Sequence, residues 1–347
     1  MRSNRGYPWA MTMTTTKKVL LAGMVGAVVA VTATAAVGFR PSSHAVAPAG
    51  LGEPTSLDAI EAVLDVPTEV RVETIVGADW EVDRSGLINL DNPEAKKAGL
   101  KDGPEPIQIY FHAIHHPTRG LYMIDSGVER ALFDDPDHAA IRGLVARFMH
   151  KEKMKRGTDT AAWVAAQNEP VRGVFLTHLH LDHISGMRDV PKEADIFTGP
   201  GEASERGALN IFVSSSTDRA LEGHGPLREW KFEKDSSGTF IGLLDVFGDK
   251  SVFAIHVPGH TAGSTAYLVR STTGPILFTG DACHTAWGWE HGVEPGSFSH
   301  DIEASKAGLR ALKGFVEKHP TIEVRLGHQK LEQGRPDHAP PKGRSAP

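Results

Sequence analysis

The sequence predicts an α/β fold in which mixed β-sheets are flanked by helices. Two observations lead there. Short apolar runs with strand character recur from about residue 69 to residue 326, interleaved with stretches of helical periodicity. Each group of histidines and aspartates suited to a metal lies just beyond one of those runs, as side chains gathered at one end of a sheet would. A chain of 347 residues is long enough for two domains, but one large α/β domain also reaches about 250 residues. The expected organisation is a signal peptide or N-terminal anchor over 1–45, a linker over 46–66, one folded domain over 67–333 and a disordered tail over 334–347.

In chain order, Lys17 and Lys18 precede Val19 to Val37, a stretch without charge that is rich in Val, Ala, Gly and Leu. That is a positive n-region followed by an apolar h-region. Ala33-Thr34-Ala35 and Ser43-His44-Ala45 each offer a small-x-Ala cleavage pattern. The competing reading is an uncleaved anchor, because the run approaches the roughly 20 apolar residues that cross a bilayer. Export with cleavage, to a periplasm or the outside, is the expectation. Arg40 to Pro54 reads as a Pro-, Ala-, Ser- and Gly-rich linker, and the folded part is expected to begin near Val66.

Glu69 to Val76 alternates polar and apolar residues, the pattern of a half-buried strand. Pro106 to Ile114 and Leu121 to Ile124 follow as strands, with His112, His115 and His116 read as loop or surface histidines. Glu129 to Gln167 reads as helical, with Leu144 and Phe148 one turn apart and a solvated charge run over Lys151 to Arg156. Val171 to Thr177 is the central strand, His183 to Met187 starts a helix, and Ala194 to Thr198 is a short strand. Residues 200–250 read as an excursion of loops and helix. Ser251 to Val257 is a buried strand, and Thr265 to Arg270 with Pro275 to Thr279 forms a hairpin. His300 to His319 is an amphipathic helix, and Ile322 to Leu326 a last short strand.

The densest stretch is Thr177-His178-Leu179-His180-Leu181-Asp182-His183. In extended backbone, residues i and i+2 point the same way, so His178 and His180 present two imidazoles together at the strand end. Asp182 and His183 lie past that end, where a turn aims them at a second point. Imidazole nitrogen and carboxylate oxygen suit a borderline cation such as Zn²⁺. Titratable side chains at the end of a buried strand are costly unless something satisfies them.

His-x-His-x-Asp-His after an apolar strand resembles the signature of the metallo-β-lactamase-fold hydrolases. Four further segments, in the expected order, match that superfamily: Met123-Ile124-Asp125-Ser126-Gly127, Val257-Pro258-Gly259-His260-Thr261-Ala262-Gly263-Ser264, Phe278-Thr279-Gly280-Asp281 and Leu326-Gly327-His328. The resemblance covers about residues 68–335 and implies a four-layer αββα sandwich of two mixed sheets. It implies one metal on His178, His180 and His260, and a second on Asp182, His183 and His328. Asp281 would bridge the two, with Asp125 orienting the loops from behind. Two Zn²⁺ per chain are expected, with Mn, Fe or Co as alternatives. Such a pair lowers the pKa of a shared water enough that no Ser or Cys nucleophile is needed.

The branch that the layout most resembles is that of the N-acyl homoserine lactonases, with a similar length, an insert before the metal strand and the full ligand set. The implied reaction opens a lactone or cleaves a carboxylic ester, with Asp182 and, at a position where this chain departs from the family, His284 as the candidate catalytic residues. Where family lactonases carry a tyrosine three residues after the bridging aspartate, this chain has His284, read either as an aid to the carbonyl or leaving group or as structural. β-Lactam hydrolysis is disfavoured, because those enzymes replace the bridging aspartate with a cysteine or a third histidine. The alternatives are a thioester hydrolase, although little chain follows His328 to grip glutathione, and a phosphodiesterase. A non-hydrolytic iron enzyme and a non-catalytic metal-binding protein complete the field.

Trp287, Trp289 and Phe298 follow the bridging aspartate and either wall an apolar substrate pocket or pack on the final helix. The expected partner is a small molecule with an apolar part. Net charge is −6, and the first fifty residues hold Arg2, Arg5, Lys17, Lys18 and Arg40 but no acid, so the remainder is more acidic still. Nothing there invites nucleic acid. A membrane enters only through the possible N-terminal anchor. The single cysteine, Cys283, rules out an intramolecular disulfide framework and reads as a small buried apolar residue near the metals.

Overall fold

A computed structural model describes residues 40–206 and 210–329, leaving aside the side chain of residue 211. The apolar segment 19–37 and the tail 334–347 lie outside the described residues. Among the described residues, no helix is long and apolar enough to cross a membrane.

Fourteen strands form two sheets. They are β1 (Val46–Pro48), β2 (Glu53–Pro54), β3 (Arg71–Asp83), β4 (Pro104–His116), β5 (Gly120–Ile124), β6 (Lys155–Arg156), β7 (Val171–Phe175), β8 (Asp195–Thr198), β9 (Leu227–Glu229), β10 (Gly242–Asp245), β11 (Val252–His256), β12 (Thr265–Ser271), β13 (Gly274–Phe278) and β14 (Glu323–Arg325). The first sheet has the order β1-β9-β8-β7-β5-β4-β3-β6 and the second β14-β13-β12-β11-β10-β2. Both are mixed. In the first, β5, β7, β8, β9 and β1 run parallel while β3 and β4 pair antiparallel. In the second, a meander from β10 to β13 takes β14 in parallel.

Side-chain alternation explains the layering. On β11, Val252 and Ala254 join the core between the sheets while Phe253 and Ile255 face the outer one. On β12, Tyr267 and Val269 point inward and Ala266 and Leu268 outward. Phe175, Phe197 and Trp230 from the first sheet stack into the same inner core. The helices that matter here are α1 (Leu57–Glu61), α2 (Ala131–Asp134), α3 (Gly143–Phe148), α4 (Thr160–Ala165), α5 (Leu181–Ile184), α6 (Asn210–Ala220), α7 (Ala286–His291) and α8 (Ile302–Lys318). Leu309, Leu312 and Phe315 of α8 and Leu57 and Ile60 of α1 cover the outer face of the second sheet. Val145, Trp163 and Ile184 help cover that of the first. The result is the expected αββα sandwich.

Four expectations change. The 46–66 segment is no linker. Its β1 pairs with β9 and its β2 with β10, and Leu57, Ile60 and Leu64 are buried. Edge strands hold by backbone pairing and need little apolar side chain, so composition hid them. The signal for α1 was present: Ser56 caps it by accepting from Ala59 N, and Leu57, Ile60 and Leu64 recur at helical spacing. The 129–167 stretch forms three short helices instead of one long pattern. Between them β6 adds to the edge of β3, and Gly157 packs so close to Val76 O that a Cβ would fall 2.4 Å away. His112 and His116 are buried on β4, where His112 bonds Thr74 and His116 pairs with Asp249 at 2.9 Å. The 200–250 excursion supplies α6 and two sheet strands, β9 and β10.

Candidate metal centre

The C-terminal ends of five strands converge. Beyond β5 comes Asp125, beyond β7 the stretch 177–183, beyond β11 His260, beyond β13 Asp281 and beyond β14 His328. Glycines allow the approach. Gly280 has φ +50°, and a Cβ on Gly327 would lie 2.3 Å from Asp281 Oδ1.

The seven expected ligands fall into two groups, His178, His180, His260 and Asp281 in one and Asp182, His183 and His328 in the other. Asp281 joins them through its two oxygens. Oδ2 lies 3.3 Å from His260 Nε2 and 3.6 Å from His178 Nε2. Oδ1 lies 3.3 Å from both His183 Nε2 and His328 Nε2. His180 turns Nδ1 inward, 2.9 Å from His260 Nε2, and Asp182 Oδ2 sits 3.3 Å from His328 Nε2.

The donor set fits divalent cations for a reason visible in its hydrogen bonds. His183 Nδ1 donates to Asp125 Oδ2 at 2.8 Å and His328 Nδ1 to Gln108 O at 2.9 Å. In neutral rings the Nε2 atoms then carry lone pairs, yet they face each other at 3.3 Å. Among the described residues, His178 Nε2 and Asp281 Oδ1 are buried without a hydrogen-bond partner. Lone pairs converging in a buried space repel unless positive charge sits among them. The titration pattern agrees. Burial, with His183 and His180 beside it, pushes His178 well below the usual imidazole range, and burial does the same to His260. Burial opposes charge on His183 and His328 too, but Asp281 overrides it with help from Asp125 and Asp182. His183 is held well above the usual range and His328 lifted to about 10. Burial works against the Asp281 carboxylate as well, yet His284, His328 and His183 hold it well below the usual range. The acids draw in cationic charge.

Asp125 sits behind the second group. It has φ +56°, its Oδ1 accepts from Thr177 N at 2.8 Å, and its Oδ2 accepts from the Thr177 hydroxyl and His183. It thus fixes the start of the 177–183 stretch and the tautomer of a ligand without being one.

His284 is buried at the same point. Its Nδ1 donates to Leu87 O at 3.0 Å, which aims Nε2 at Asp281 Oδ2 at 3.1 Å. It also lines a cavity of about 500 Å³ whose floor is His180, Asp182, His260, Asp281 and His328. The walls are mostly apolar, Val82, Leu87, Ile107, Leu144, Phe148 and Phe298 among them, with Asp83, Arg147, His150 and Asn210 as the polar exceptions. Phe298 reaches in because Gly86 has no side chain; a Cβ there would meet its ring at 2.2 Å.

Trp287 and Trp289 do not line this cavity. Two apart on α7, they leave it in different directions: Trp287 stacks on His291 and joins a small core with Leu87 and Val293, while Trp289 packs towards α8 beneath Lys313. Cys283 is buried and donates to Thr285 O, burial pushing its thiol up to about 12, so it packs and does not ligate. Sequence reasoning missed Leu144 and Phe148 as wall residues. Their i, i+4 spacing gives a helix face without saying what it faces, and they are 73% and 64% exposed at the cavity mouth. A larger groove of about 1170 Å³ between the 230–241 segment and α8 gathers no comparable ligand set among the described residues.

Compared with known families, residues 143–287 fit the model of the Metallo-beta-lactamase superfamily. The N-acyl homoserine lactonase AttM of Agrobacterium fabrum is 28% identical over 232 residues, covering 64% of this chain and 82% of that protein. AttM of Rhizobium radiobacter is 29% identical with the same coverage. Among solved structures, a quorum-quenching N-acyl homoserine lactone lactonase aligns with TM-score 0.54 at 16% identity, over 76% of this chain and 94% of that one. A probable metal-dependent hydrolase from Staphylococcus aureus aligns with TM-score 0.56 at 13% identity, over 76% and 90%. These two likenesses concern the fold.

Proposed function

We propose that the chain is a dinuclear-metal hydrolase of the metallo-β-lactamase superfamily that opens the ring of N-acyl homoserine lactones. The observation that carries the reading is Asp281, one oxygen turned to each group of ligands. A bridging carboxylate is what two cations need if they are to act on one substrate atom. Cations held there would acidify a shared water and draw charge from a carbonyl oxygen. Zinc is the proposed metal, since imidazole and carboxylate suit it.

The chain's own residues do the rest. The apolar walls take up the acyl chain and exclude water around the ester, which strengthens electrostatic interactions at the floor. His284 Nε2, left as the free ring nitrogen by the Nδ1 bond to Leu87 O, is placed to accept and hand on a proton beside the substrate's oxygen. The AttM relatives, named as N-acyl homoserine lactonases, supply the substrate class.

The test is proton release by the zinc-loaded protein against acyl homoserine lactones, simple lactones, an aryl ester, a thioester, a phosphodiester and a β-lactam. Fast turnover of the acyl homoserine lactones, lost in Asp281→Asn, is expected. Turnover of the thioester or phosphodiester alone would overturn the substrate.

We also propose that the protein is exported and cleaved after Ala35. Ser42 and Ser43 bond Asp218, and Val46–Pro48 pairs with β9, so cleavage after Ala45 would remove part of that attachment. N-terminal sequencing of exported protein decides: a start at Val46 contradicts the proposal.

A further inference from the structure

Glu202 is almost fully buried, 1% exposed, and belongs to neither ligand group. It follows the turn after β8 and reaches two loops at once. Its Oε1 accepts from the backbone N–H of Leu179 at 2.8 Å, the residue between His178 and His180. Its Oε2 accepts from Gly263 N at 2.9 Å, three residues past His260, and the Thr261 side chain also bonds it. Glu205, one turn on, takes the N–H of Ala262. The three residues that follow His260 therefore each bond one of two acids on a single short segment. The packing is tight: a Cβ on Gly263 would lie 2.7 Å from Glu202 Oε2, and one on Gly199 would lie 1.7 Å from Gly263 O. A buried carboxylate costs free energy, and burial pushes Glu202 up to about 7 against the N–H groups that it accepts. Apolar packing would fill that space at less cost. A carboxylate there is intelligible as a double acceptor that sets the distance between two loops.

We infer that Glu202 is a positioning residue that holds the His178–His180 loop and the His260 turn in register, so that the three histidines meet on one cation. The inference rests on the metal reading above and goes beyond it, because it makes one of the two sites depend selectively on an acid outside the ligand set. His183 and His328 do not hang on Glu202; Asp125 and the Gln108 carbonyl hold them instead. Asp125 also fixes Thr177, whose hydroxyl lies 3.1 Å from His178 Nδ1, so of the two acids it is Glu202 that bears on one group alone.

The experiment titrates metal-stripped full-length protein with Co²⁺, reading the visible d–d bands together with the equivalents bound. Glu202→Gln keeps the shape but replaces one acceptor with an N–H₂ group that faces a backbone N–H. It should lower the affinity of one Co²⁺ about 10- to 100-fold, the usual effect of losing a group that orients ligands, and leave the other unchanged. Asp125→Asn should weaken the Co²⁺ that takes His183, whatever it does to the first, and so identifies the bands that Glu202→Gln leaves intact. Thr261→Val removes a single donor to Glu202 and should shift the same Co²⁺ as Glu202→Gln, by a smaller factor. It decides the matter should Glu202→Gln fail to fold. Wild type binding two equivalents beside Glu202→Gln or a folded Thr261→Val with both affinities unaltered would overturn the inference alone. The same holds if Glu202→Gln weakens both Co²⁺ alike. A wild type that takes up no Co²⁺ would overturn the metal reading and the inference with it.

Discussion

His284 and Glu129 are both buried and titratable, and their surroundings give them opposite expectations. His284 ends at the cavity floor with Nδ1 committed to Leu87 O. His284→Ala should therefore lower kcat on an acyl homoserine lactone by roughly 10²-fold, within the range of general acid–base contributions, and change KM little. An unchanged kcat would make the ring purely structural. Glu129 is far from that floor in role. One oxygen accepts from Ala140 N at 2.6 Å, and Arg188 stands 3.6 Å from the other. Burial raises its carboxyl from 4.5 to about 7, the Ala140 N–H acting against it. Below about pH 4.5 the group is protonated folded and unfolded alike. Between there and about 7 the folded chain binds the extra proton, so this contribution to stability is lost as pH rises. Glu129→Gln should flatten the decline in urea stability from pH 5 to pH 8, by up to on the order of 3 kcal/mol. Parallel pH profiles for the two proteins would contradict this. At this scale four of the seven ligands were legible in the sequence, because six positions after one strand hold three histidines and an aspartate, while His260, Asp281 and His328 came with the resemblance. Glu202 was not, since an acid in a Gly- and Ser-rich stretch looks like any solvated one.

Among the elements, α3 shows where periodicity stops informing. Leu144 and Phe148 are spaced as a helix face requires, but spacing gives a face and not its neighbour. The face looks into the cavity, beside Phe298 from across the mouth. A substrate with a long acyl chain would cover these side chains, and a short one would leave them wet. Replacing both with serine should raise KM for decanoyl-homoserine lactone by about tenfold or more, at about 0.8 kcal/mol per buried methylene, and leave the butanoyl compound nearly unaffected. Equal losses on both would show that α3 acts through stability. The tryptophans of α7 teach the converse. Closeness in sequence to the bridging aspartate suggested pocket walls, but residues two apart on a helix diverge, and both join packed clusters.

Over the whole molecule, the site exists because two sheets deliver strand ends to one place. β5 and β7 bring Asp125 and the first ligands from one sheet, while β11, β13 and β14 bring His260, Asp281 and His328 from the other. The strands that do this are apolar runs, so mixed sheets with helices could be read from them, while the αββα order came with the family resemblance. The edges could not. β1, β2 and β6 hold by backbone pairing, which leaves no periodic trace in three residues or fewer. Since neither sheet alone holds a full ligand set, the central claim is that both cations are needed and that Asp281 couples them. The direct measurement strips the metal from the protein and restores Zn²⁺ stepwise while following ring opening of an acyl homoserine lactone. Activity that rises to a plateau at two equivalents per chain, and stays absent in Asp281→Asn at any Zn²⁺ concentration, is the predicted result. Full activity at one equivalent, or turnover that survives Asp281→Asn, would contradict the account.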